Sequence, residues 1–183
     1  MNVFEQNKLK EIVLYILNKT GGIDFYHVFK ILYFAEKSHL AQWGHRITSD
    51  DFCALEYGPV PTRLYDAVKG NNPPHTHLAD ILCKSVHFAG IDAPNVLMTD
   101  EIANLDYISE SEREALDKSI AENSNLTFRQ LKEKSHDAAW EEAYNCKNGT
   151  NVLSPLSMAQ SANATSATLE YIKEQIDIES ALS

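Results

Sequence analysis

Glu56-Tyr57-Gly58-Pro59-Val60-Pro61 is the stretch on which the fold turns. Two prolines in three positions exclude a helix interior, because each ring fixes φ and removes an amide donor. The glycine beside them points to a backbone shape, or a close approach, that a side chain would block. The segment reads as a rigid turn in which Gly58, Pro59 and Pro61 are structural, and Pro61 suits the start of a helix. Upstream, Ile47, Phe52, Ala54 and Leu55 suggest an extended run leading into it. Downstream, residues 62–69 read as a short helix carrying Leu64, Tyr65 and Val68.

Working outward, residues 4–18 place Leu9, Ile12, Val13, Ile16 and Leu17 at helical spacing, and Gly21-Gly22 stops that helix. Asp24 is a good N-cap for a second helix, which runs to about Gln42 with Gly44 beyond it. Past the turn, residues 70–74 (Gly-Asn-Asn-Pro-Pro) read as a loop and His75 as the start of one or two helical turns. Val86-His87-Phe88-Ala89 and Val96-Leu97-Met98-Thr99 flank a turn-rich segment, which predicts a β-hairpin. Ser109 with Glu112, and Thr127 with Gln130, are capping boxes opening helices to about residues 122 and 143. The fold class is therefore mainly α with a small β-hairpin and short strands, an α+β arrangement. Residues 1–150 form the compact domain, and Asn148-Gly149 closes it. Residues 154–168, rich in Ser, Ala, Thr and Asn, read as a linker within a tail of residues 151–183. Leu169, Ile172, Ile176 and Ile178 predict an amphipathic helix at its end.

A chain of 183 residues is long enough to bury a core without disulfides. Cys53, Cys83 and Cys146 are odd in number and far apart, as expected of reduced thiols in the cytoplasm. The longest apolar run, residues 12–17, is far short of the ~20 residues that span a bilayer, so no membrane association is expected. Net charge is −10, and residues 81–183 hold 17 acidic against 8 basic side chains. Nucleic-acid binding calls for a basic patch, so the acidic half favours a basic protein partner or a solubilising surface.

Motifs for catalysis are missing. His75-Thr76-His77 lacks the paired short spacing of a zinc site, so neither a metal nor another cofactor is expected. Cys53 lies in an apolar run that suits a buried thiol, and no phosphate loop or nucleophile elbow occurs. The helices at 109–123 and 127–143 allow an alternative, a helix-turn-helix regulator presenting Arg129, Lys132, Lys134 and His136. Glu133, Asp137, Glu141 and Glu142 on the same helix oppose it. His136 and Trp140, one helical turn apart, read as a core pair. Beside the rigid turn, Glu56, Tyr57, Arg63, Tyr65 and Asp66 make a candidate partner-binding surface, since aromatics and Arg anchor interfaces.

The run Lys30-Ile31-Leu32-Tyr33-Phe34-Ala35-Glu36-Lys37-Ser38-His39-Leu40, then Trp43-Gly44 and the segment from Asp51 to the Gly-Pro-Val-Pro motif, resembles the Panacea domain of SocA-like antitoxins. Leu131 with His136 and Trp140 matches a later marker of that family. The resemblance covers roughly residues 5–145. It implies an antitoxin that binds a toxin protein directly, usually one encoded beside it. In one mode a protease is a third partner that receives the toxin, and members also occur in phage. No enzymatic activity is implied. The acidic half and the Ser-rich tail depart from the family pattern.

Overall fold

Asn2 and Glu5 close a reciprocal capping box that starts α1 (Val3–Thr20), and Gly21 ends it in the left-handed conformation. After the two-residue strand β1 (Ile23–Asp24), the Asp24 carboxylate accepts from the His27 amide and opens α2 (Phe25–Trp43), which Gly44 terminates. The structure is a computed structural model that describes residues 1–69, 76–146 and 149–182. The expected loop at 70–74, His75 and the stop at Asn148 lie outside the described residues. The architecture is mainly helical with a few short antiparallel strands.

β2 (Phe52–Leu55) and β3 (Gly58–Pro61) pair antiparallel with Leu55 opposite Gly58, so only Glu56 and Tyr57 make the turn. This corrects the reading of Gly-Pro-Val-Pro as the turn itself. Those four residues are a buried strand, and both prolines tolerate it because β3 pairs on one side only. α3 (Thr62–Lys69) follows directly, and α4 (His77–Ser85) starts at the Thr76 N-cap. The predicted hairpin is present as β4 (His87–Phe88) and β5 (Val96–Met98). β1 joins its far side in the order β1-β5-β4, a pairing two residues are too short to announce by periodicity.

Both capping boxes form, opening α5 (Glu110–Asn123) and α6 (Phe128–Ser135). The second helix stops at Ser135, however, and α7 (Ala138–Tyr144) starts anew from an Asp137 N-cap. The tail also differs from the linker expected at 154–168. Ser154 and Pro155 start α8 (Pro155–Ser161), whose Met158 and Ala159 are buried, and α9 (Ser166–Leu182) follows. α2 lies at the centre, packed on α5, α8, α6 and α9, while α1 packs on α4 and α5. The core gathers Leu9, Ile12, Ile16, Phe29, Leu32, Tyr33, Leu116 and Ile172 among others. Among the described residues, no helix is long and apolar enough to cross a membrane.

Candidate functional site

Lys30, Tyr33 and Lys37 share one face of α2, being three and four residues apart in sequence. That face is buried, so each polar tip needs a partner. Lys30 Nζ donates to the Pro59 carbonyl at 2.7 Å. The Tyr33 hydroxyl donates to Asp137 at 2.8 Å, and Lys37 Nζ reaches the same carboxylate at 2.5 Å. Asp137 also accepts from the amides of Ala139 and Trp140 at 3.1 Å, which is how it caps α7. One carboxylate thus serves two elements, and the demand from α2 explains why the helix predicted over 127–143 breaks there.

Two further carboxylates brace the approach to the hairpin. Glu36, fully buried, accepts from Arg46 Nε at 3.2 Å and from the amides of Ile47 and Thr48 at 3.1 Å. Asp50 accepts from the amides of Arg63 and Leu64 at 3.0 Å and so fixes the start of α3. Burial pushes Glu36 up to about 7, with Arg46 pulling the other way. Burial also raises Asp50 and holds Tyr33 well above the usual phenol range. The Lys30 ammonium, desolvated and only partly compensated by Asp137, is pushed down to about 7.

Gly58 fits this frame only as glycine. Its φ is +95°, and an added Cβ would lie 2.8 Å from Lys30 Nζ and closer still to Ser135 Oγ. The outer edge of β2 is closed by the tail. Ala54 N donates to the Asn151 carbonyl at 2.7 Å, and Leu153 N donates to the Phe52 carbonyl at 2.8 Å. Cys53 faces Val152 between these bonds.

With its frame anchored, the turn stands in solvent between two stacks of rings. On one side Tyr26 lies 4.4 Å from Phe128, and Phe128 lies 5.7 Å from Tyr57. The Tyr26 hydroxyl donates to the Tyr57 carbonyl, and Lys132 Nζ sits 5.1 Å over the Tyr57 ring. On the other side His136 stacks on Trp140 at 3.7 Å, and Trp140 on Tyr144 at 4.5 Å. Trp140 Nε1 donates to the Leu55 carbonyl at 3.0 Å. His136 and Trp140 are therefore a half-buried stack across a helix break, with Trp140 packed on the edge of the core, and among the described residues His136 Nε2 has no hydrogen-bond partner. Burial, then the ammoniums of Lys132 and Lys30, lower the His136 pKa.

The five residues expected to form one surface are divided. Glu56 and Tyr57 occupy the exposed turn. Tyr65 is half-buried, 6.0 Å from Phe29. Arg63 and Asp66 line a small cavity of about 90 Å³ with Gln6, Thr76 and Leu78. Sequence reasoning missed Tyr26, Phe128 and Tyr144 as neighbours of the turn, and Asp137 as the hub beneath it. One signal was available: Lys30, Tyr33 and Lys37 put polar atoms on the inward face of an otherwise apolar helix. On α6, Arg129 pairs with Glu133, and Lys134 binds Glu122 and Asn123, so two of the cations offered to DNA are engaged within the chain.

The family model described as antitoxin SocA-like, Panacea domain, matches residues 28–141. No curated protein and no solved structure matches the chain. The matched span runs from inside α2 into α7 and so contains the Lys30, Asp137 and hairpin frame, while α1, α8 and α9 lie outside it. This chain belongs to the SocA-like Panacea domain antitoxin family.

Proposed function

We propose that the chain neutralises a partner toxin in the cytoplasm by binding it directly, without catalysis and without a cofactor. The observation that carries this reading is the Glu56 and Tyr57 turn. Exposed side chains there are held on a backbone whose anchors, Lys30, Asp50 and Gly58, are all buried. A surface fixed before encounter loses little conformational freedom on binding, which favours affinity. The family description supports the same reading. Delivery of the bound toxin to a protease is a finer version of it.

Co-expression of the protein encoded next to this one, with and without this chain, tests the proposal. Growth arrest by the neighbour alone and recovery with this chain is expected, with the two co-purifying. A neighbour harmless on its own, or recovery without any complex, contradicts direct neutralisation. Comparing toxin half-life in strains with and without the cytosolic proteases separates steric blocking from delivery.

A further inference from the structure

We propose that the two ring stacks flanking the hairpin turn form a single docking surface, and that the toxin face seated on it is basic. The proposal rests on the toxin-binding reading and specifies where and how the toxin docks.

Exposed apolar residues scattered singly need no explanation, whereas a contiguous group does. Tyr57, Phe128 and Tyr144 are 50%, 49% and 47% exposed, and Leu55 and Val152 are exposed as well. All five belong to one neighbourhood. Tyr57 and Phe128 are in ring contact. Tyr144 stacks on Trp140, which bonds to Leu55. Val152 is bridged to Cys53, two residues before Leu55 on β2. The rings hold one another in place, so their burial against a partner would order few side chains anew. Aromatic clusters of this kind form the energetic centres of interfaces.

Charge identifies the occupant. Glu56 and Glu141 are exposed and have no ion pair among the described residues. Glu141 lies three residues before Tyr144 on α7 and so neighbours it on the helix surface. Of the cations on α6, Arg129 pairs with Glu133, while Lys132 lies over the Tyr57 ring and keeps its charge. Two glutamates against that one lysine leave the rim net negative, as is the chain as a whole at −10. A partner carrying Arg or Lys among aliphatic side chains gains ion pairs with the two glutamates. It also gains cation–π contacts with the exposed rings of Phe128 and Tyr144. A second copy of this chain, or a phosphate backbone, would bring more negative charge against it.

The test measures toxin binding by calorimetry, and its rate by interferometry, at low and high salt, for the full chain and for Phe128→Ala, Tyr144→Ala and Glu141→Lys. Ile91→Ala, on the nearly fully exposed tip of the β4–β5 hairpin, is the control. We expect Phe128→Ala and Tyr144→Ala each to weaken binding about 10-fold or more. Glu141→Lys should slow association and flatten its salt dependence, while Ile91→Ala binds as the parent does. Thermal melts confirm that each variant is folded, and the two ring variants lie in different stacks, so either one suffices. Parent-like toxin binding by both ring variants overturns the docking surface while leaving the antitoxin reading intact. Association that does not slow with added salt overturns the basic partner. A parental chain that binds no toxin overturns the functional reading itself, and with it this proposal. A dimer or a DNA complex of the parent that Phe128→Ala abolishes assigns the surface to another occupant.

Discussion

Gly58→Ala isolates the contribution of the buried frame beneath the turn. At φ +95° an alanine occupies a region that L-residues avoid, at about 1–3 kcal/mol. Its Cβ would also press on Lys30 Nζ from 2.8 Å and on Ser135 Oγ from nearer. Neither is free to swing aside, since Lys30 is bonded to the Pro59 carbonyl and Ser135 to the Lys132 carbonyl. Displacing the ammonium forfeits a buried charge-assisted bond worth about 1.5–3 kcal/mol. The combined loss is roughly 3–6 kcal/mol, against a total stability of about 5–15 kcal/mol for an ordinary domain. At about 2–4 °C per kcal/mol for a chain of this size, the melting temperature should fall by roughly 6–24 °C. Urea titration should show a lower midpoint at an unchanged slope. Lys30→Met ends one atom short of the ammonium, so the double variant should lose less than the two singles combined, by about 0.5–3 kcal/mol. A Gly58→Ala protein within about 1 kcal/mol of the parent would refute the close approach. Strict additivity with Lys30→Met would leave the backbone strain and the Ser135 contact as the cause.

Lys30 binds its proton more weakly folded than unfolded, so its burden on the fold is full below pH 7. It is relieved as pH rises toward the ordinary lysine value. Stability should therefore climb between pH 7 and 10 by up to about 1.4 kcal/mol per unit from this group, and denaturation of Lys30→Met across that range should lack this slope. Asp137→Asn removes the charge that Lys37 pairs with and weakens the α7 cap, and should cost about 2–4 kcal/mol in urea. Tyr33→Phe at the same hub should cost only about 1 kcal/mol. Ile172→Ala in α9 empties a site that is 2% exposed and should destabilise by about 2–5 kcal/mol; a negligible change would mean that α9 does not pack on the core.

What was legible in the sequence is what local chemistry determines. Asp24 and Gly44 bracket α2, and two reciprocal boxes start α5 and α6, because a cap is made within four residues. What was hidden depends on distant groups. Asp137 has the appearance of a helix-interior residue until Tyr33 and Lys37, 104 and 100 positions away, draw on its carboxylate. Ser154 and Pro155 are a legitimate helix start, but the Ser- and Ala-rich composition beyond them suggested a linker, and only burial of Met158 and Ala159 shows otherwise. At the site, Glu56 and Tyr57 were named as side chains beside a rigid turn, and strand pairing makes them the turn itself. Phe128 and Tyr144 escaped notice because their proximity to that turn is created by the packing of α6 and α7.

Ala54 and Asn151 are 97 positions apart in the chain, and they close the outer edge of β2. On a ribosome adding about 5–20 residues per second, that edge stays unpaired for about 5–20 s after it is made. Open strand edges recruit other chains, and the face of α2 that α8 will cover is bare over the same interval. Nascent chains stalled before residue 150 would carry both liabilities. The supply of working protein is thus tied to completed translation, and incomplete products present the surfaces that chaperones and proteases read as unfinished.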